Sequence, residues 1–119
     1  AQHFVRFVQE MRQARVQIVS VSVQNEPEAQ TPWECCIYTP EEERDFVKYH
    51  LGPALEEAGL SDVKVLVWDH NRDGMFERAQ IPYADPEAAK YIWGCAYHWY
   101  GDARFEVWPD RSEVHFADR

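Results

Sequence analysis

Between residues 17 and 27 apolar and polar side chains alternate. Val19, Val21 and Val23 share one parity, and Ser20, Ser22 and Gln24 share the other. A period of two built on β-branched residues predicts a strand over about 16–23. The pattern runs out in Gln24, Asn25 and Glu26 and stops at Pro27, which lacks an N–H and biases Glu26 towards an extended backbone. Ahead of it, Phe4, Val5, Phe7, Val8 and Met11 recur at helical spacing, so an amphipathic helix is expected over residues 2 to about 14. That stripe begins almost at Ala1, and the first residues therefore read as the interior of a longer protein.

Residues 27–38 lack a period and carry Pro, Gln, Thr and Glu around Trp33, Ile37 and Tyr38, a loop whose aromatics need something to rest on. Thr39-Pro40-Glu41-Glu42 is a helix start: Thr39 as N-cap, Pro40 at the first helical position, Glu42 closing a capping box. That helix turns Phe46, Val47 and Leu51 inward. Gly52-Pro53 is expected to kink or break it, with a short second piece through Leu55 and Ala58 ending at Gly59. The acidic run Glu41, Glu42 and Glu43 reads as a solvated N-terminus that suits the helix dipole.

Residues 63–68 are nearly continuous in apolar side chains, as buried parallel strands are, and end in Asp69-His70-Asn71-Arg72. A helix is predicted over about 74–80, and Asp85-Pro86 caps a short one running to Lys90. Residues 91–97 form a third strand ending in His98-Trp99-Tyr100, with Gly94 inside it marking a close backbone contact. Residues 101–119 read as an excursion off that strand end. Helices alternate with strands that each end in polar side chains, a parallel α/β layout with its chemistry at the carboxyl edge. An open doubly wound sheet is the alternative, weakened because no glycine-rich phosphate loop follows any strand.

Composition narrows this further. A chain of 119 residues holds one domain at most, and 45% apolar with 14% aromatic residues excludes a disordered chain. Twelve basic against 21 acidic residues leave a net charge of −9, which argues against nucleic acid as a partner. No apolar run has bilayer length, so no membrane span is expected. Cys35, Cys36 and Cys95 offer no C-x-x-C pair and read as free thiols of a reducing compartment.

The chemistry concentrates at Glu26. A carboxylate beside an amide, where a hydrophobic strand runs out, is the arrangement in which a sugar-cleaving barrel holds its proton donor. A solvated glutamate at a strand end fits the same pattern. Further residues separate the two readings. Val23-Gln24-Asn25-Glu26-Pro27, Cys35, Tyr38-Thr39-Pro40-Glu41, Arg44-Asp45-Phe46 and Leu51-Gly52-Pro53-Ala54-Leu55 resemble the family 30 glycoside hydrolases, the group of glucosylceramidases and β-1,6-glucanases. Trp68-Asp69-His70-Asn71-Arg72, Asp85-Pro86-Glu87-Ala88-Ala89-Lys90-Tyr91, Gly94 and His98-Trp99-Tyr100 extend the resemblance in order from about residue 4 to 101.

The resemblance implies a (β/α)8 barrel, of which residues 1–119 would be a central segment, about strands 4 to 6 with their helices. It implies a retaining enzyme acting on β-linked glucosides such as glucosylceramide or β-glucans, with no cofactor. Glu26 would be the general acid/base and Asn25 the amide on the sugar 2-hydroxyl. His98 and Tyr100 would line the glucose pocket and Trp33 would wall it. Asp69 and Arg72 would support from the fifth strand. Asn25 and Glu26 can share a pocket only if the strand end is distorted, because neighbours in a strand face opposite ways. Trp99 reads as packing.

The family's nucleophile, a second glutamate after its seventh strand, has no match: Glu106 and Glu113 come too early. The remainder of the barrel would have to supply it, so the 119-residue chain alone is expected to be inactive. Two alternatives stay open. One is a carbohydrate-binding remnant without turnover. The other is a metal-dependent barrel hydrolase using Glu26, Asp69, His70 and His98, disfavoured by the lack of helical H-x-x-x-H spacing.

Overall fold

The computed structural model of the chain describes residues 1–99. The first helix, α1, spans Gln2–Gln13 and buries Val5 and Val8. Strand β1, Ser20–Ser22, is followed by the loop over residues 23–39 and by helix α2, Pro40–Phe46. A π-helical stretch, Val47–Leu51, joins α2 to α3, Gly52–Glu57. Strand β2 is Lys64–His70; a 3-10 turn, Arg72–Gly74, leads into α4, Met75–Ala84; α5 is Pro86–Ala89 and β3 is Ile92–Tyr97. The strands form a parallel sheet in the order β1-β2-β3.

Local chemistry accounts for the helix starts. The Thr39 hydroxyl accepts from the Glu42 N–H at 3.1 Å, and the Glu42 carboxylate accepts from the Thr39 N–H at 2.8 Å, closing the capping box. Asp85 caps α5 by accepting from the Glu87 N–H at 3.0 Å. In register, Val21 pairs with Val65 and both are buried, while Ser20 pairs with Lys64 and Ser22 with Leu66 on the opposite face. The valine face joins Val8, Val47, Leu51 and Leu55 in one core. Burying side chains of this size supplies about 1.5–3 kcal/mol each. The serine face carries no helix among the described residues.

Several expectations are corrected. The ladder of β1 is shorter than 16–23: it spans Ser20–Ser22, with single bonds to β2 at Val19 and Val23, and Val19 is 59% exposed. Gly52-Pro53 does not break the helix. Proline lacks the N–H for an ordinary helical bond, and the wider π-helical turn just before it absorbs the defect. The tight glycines are Gly52, where an added Cβ would lie 2.2 Å from the Tyr91 ring, and Gly74, where it would lie 2.9 Å from the Trp68 ring; at Gly94 it would meet Leu66 Cδ2 at 3.8 Å. Helix α4 runs past residue 80 to Ala84 with Pro82 inside it. Glu26 is not extended: its φ is 47°, in the left-handed region.

Candidate active site

All three strands deliver a titratable side chain to one edge of the sheet. Glu26 follows β1, Asp69 sits near the end of β2, and His98 follows β3. His98 lies between the other two. Its Nδ1 is 3.0 Å from Glu26 Oε1, and its Nε2 is 3.3 Å from Asp69 Oδ1. The three side chains are 20–22% exposed. The Ser22 hydroxyl donates to Asp69 Oδ2 at 2.6 Å, fixing the carboxylate from the polar parity of β1.

The backbone is distorted to achieve this. Trp68 has φ 74° and Asp69 φ 47°, so two consecutive non-glycine residues take left-handed conformations opposite the left-handed Glu26. Each such residue costs about 1–3 kcal/mol and persists only where its surroundings hold it. The Glu26 N–H donates to the Asp69 carbonyl at 2.9 Å, and the His98 N–H to the His70 carbonyl at 2.7 Å. The main chain therefore ties all three strand ends together.

Beneath this edge lies a buried charged cluster. Glu43 is 1% exposed and accepts from the Trp68 N–H at 2.9 Å. It is not the solvated helix-end residue that its acidic run suggested, because the first turn of α2 packs against the end of β2. Arg78, from α4, is 6% exposed; its Nε lies 3.8 Å from Glu43 Oε2 and its Nη1 donates to Glu28 at 2.9 Å. Its Nη2 donates to the Tyr38 carbonyl, and its guanidinium sits 5.8 Å from the centre of the Trp68 ring. Burial pushes the Glu43 carboxyl above the usual carboxylate range, while the Trp68 N–H and the Arg78 charge pull it back.

The other anticipated residues are distributed as follows. Asn25 is exposed next to Glu26 and its side chain makes no hydrogen bond among the described residues. Trp33 is 67% exposed on the loop. Arg72 donates to the Trp99 carbonyl and so ties the turn after β2 to the chain after β3. Trp99, expected to be buried by packing, is 79% exposed and lies past the last ladder residue of β3. Tyr100, Glu106 and Glu113 lie outside the described residues. His70 tilts over Trp68 with ring centres 5.1 Å apart, and its ring is 6.4 Å from that of His98. Among the described residues no three His, Cys, Asp or Glu side chains are grouped to hold a metal ion, and no helix is long and apolar enough to cross a membrane.

Sequence reasoning missed Ser22, Glu43 and Arg78. Ser22 carried a usable signal, since it shares a parity with the polar strand end. Glu43 and Arg78 carried none, because each looks like an ordinary helix-surface charge.

Both ring nitrogens of His98 face carboxylate oxygens. For both contacts to be hydrogen bonds, two protons must be shared among the three groups. They sit on both nitrogens, or one stays on the ring and the other sits on the carboxyl that faces the bare nitrogen.

Known proteins are similar to this chain in sequence and fold. Lysosomal acid glucosylceramidase of Mus musculus is 40% identical over 119 residues, covering 97% of this chain and 23% of the mouse protein. A crystal structure of SrfJ from Salmonella typhimurium superposes with a TM-score of 0.77 at 36% identity, covering 82% of this chain and 22% of that one. An endo-β1,6-glucanase structure superposes with a TM-score of 0.78 at 32% identity, covering 94% and 24%. The chain thus spans about a quarter of the length of these relatives. Residues 1–118 match the glycosyl hydrolase family 30 TIM-barrel domain, and the chain belongs to that family.

Proposed function

We propose that residues 1–119 are the central part of a (β/α)8 glycoside hydrolase, about its fourth to sixth strands, and carry the general acid/base of a retaining β-glucosidase. The observation that carries this reading is the Glu26 carboxyl 3.0 Å from His98 Nδ1 at the carboxyl edge of a parallel sheet. The uncovered serine face of β1 and β2 would be the barrel interior. β-Linked glucosides, of the glucosylceramide or β-glucan kind, are the substrate class the relatives' names suggest.

In the first step the Glu26 carboxyl gives its proton to the departing glycosidic oxygen. A second glutamate, from the remainder of the barrel, attacks the anomeric carbon from a position roughly 5–5.5 Å away. In the second step the Glu26 carboxylate takes a proton from water as that water displaces the enzyme from the sugar. His98, with one ring nitrogen facing Glu26 and the other facing Asp69, holds the Glu26 carboxyl in place between the strand ends. Asn25 and Tyr100 would contact the sugar, Trp33 would wall it, and Arg72 would brace the strand ends.

Incubating the isolated 119-residue chain with an aryl β-glucoside tests the division of labour. No product above buffer is expected, because the nucleophile is supplied elsewhere. Turnover by a clean sample would overturn the reading.

A further inference from the structure

We propose that Glu43 and Arg78 are positioning residues for the Glu26–Asp69–His98 cluster, locking the end of β2 and the turn after Glu26 so that both carboxyls meet His98. The inference rests on the acid/base reading of Glu26 and adds to it a support built from the helical layer.

One backbone donor at the end of β2 has no strand partner among the described residues. The Val23 N–H donates to the Leu66 carbonyl at 3.1 Å, so the backbone of Leu66 faces β1. Two residues later the Trp68 N–H would point the same way, but the ladder of β1 has ended at Ser22. Glu43 Oε1 fills the place of the absent strand at 2.9 Å. A buried N–H needs such an acceptor, and this one sits at the first of the two left-handed residues that swing Asp69 towards His98.

Arg78 secures the other side. Glu28 and Tyr38, which it binds through separate nitrogens, flank the loop that begins at Glu26, and Pro27 between Glu26 and Glu28 is fully buried. The planar fork lets one side chain hold the loop in two places while its Nε faces Glu43. Two orphaned buried atoms, Glu43 Oε2 and Arg78 Nε, face each other across 3.8 Å. A charge on one therefore balances a charge on the other, with no rigid bond between them. Glu43 holds the strand end through the Trp68 N–H, and Arg78 holds the loop through the Tyr38 carbonyl and the Glu28 side chain.

The test is NMR of the full chain labelled with nitrogen-15, in the solid state where the sample associates. The His98 ring signals are assigned by their loss in His98→Gln. Glu43→Ala should speed exchange of the Trp68 amide about tenfold or more and displace the His98 Nε2 resonance that reports Asp69. Glu43→Gln keeps an acceptor oxygen and should restore both towards the parent values. Arg78→Lys keeps charge and length but loses the fork; it should displace the Nδ1 resonance that reports Glu26 and leave Nε2 in place. If Glu43→Ala fails to fold, Glu43→Gln and Arg78→Lys carry the test. Unmoved ring resonances in folded Glu43→Ala or Arg78→Lys would overturn the proposal, since a plain structural brace would change exchange or stability alone. These signals do not depend on catalysis, so a failure of the acid/base reading, seen only in activity, is distinguishable from a failure of the clamp.

Discussion

Replacing His98 by leucine removes the group that faces both carboxyls while leaving the strand in place. The His98 backbone is held independently, by its N–H to the His70 carbonyl at 2.7 Å. The loss therefore belongs to the side chain. A hydrogen bond involving a charged partner contributes about 1.5–3 kcal/mol, and screening at a side chain one-fifth exposed brings the Glu26 contact to about 1–2 kcal/mol. At 1.36 kcal/mol per decade, kcat/KM should fall about 5- to 30-fold in a complete barrel carrying these residues. The assay is kcat/KM across a series of aryl β-glucosides of decreasing leaving-group acidity. The loss should grow towards the poorest leaving groups, because only they need the proton that we propose Glu26 delivers. Asp69→Asn should cost less, and the double variant should fall short of the sum of the two, since both act through one imidazole. A loss independent of the leaving group would refute the reasoning. So would a loss beyond about a thousandfold, which would make His98 a direct participant in the chemistry.

Two further outcomes follow from packing. Gly52→Ala drives a Cβ to 2.2 Å from the Tyr91 ring, and the expelled ring also loses its contact with Glu56 at 3.2 Å. Overpacking of about 1–3 kcal/mol outweighs the gain of up to about 1 kcal/mol from removing a helical glycine, so the melting midpoint followed by circular dichroism should drop; an unchanged or higher midpoint would contradict the contact. Burial pushes the Cys95 thiol up to about 12, whereas Cys35 and Cys36 are exposed. A thiol reagent at neutral pH should modify two cysteines quickly and the third only on unfolding, and rapid modification of all three would show that Cys95 is not held as described.

Much of the fold could be read along the chain. The strand patterns, the capping box at Thr39 and the Asp85 cap are local signals, and each element appears in the structure, with β1 shorter than its pattern. The convergence of Glu26, Asp69 and His98 on one edge follows from the same logic, because parallel strands end on the same side. What stayed hidden depends on partners distant in sequence. The π-helical stretch at Val47–Leu51 has ordinary helical spacing, and the close approach of Tyr91 to Gly52 joins positions 39 apart. Glu43 looks no different from Glu41 and Glu42 until Trp68 and Arg78 are brought beside it. The left-handed backbone at Trp68 and Asp69 was not legible either, because neither is glycine and the Glu43, Ser22 and Glu26 groups that hold them come from distant positions.

The central claim is that Glu26 hands a proton to the glycosidic oxygen and later takes one from water. The direct measurement is Glu26→Ala in a complete barrel, assayed with a good and a poor leaving group, with and without added azide. The account predicts that hydrolysis of the poor substrate is nearly abolished while the activated one still forms the glycosyl-enzyme, and that azide restores turnover of the activated one with β-glucosyl azide as product. Equal loss on both substrates with no rescue by azide would contradict it.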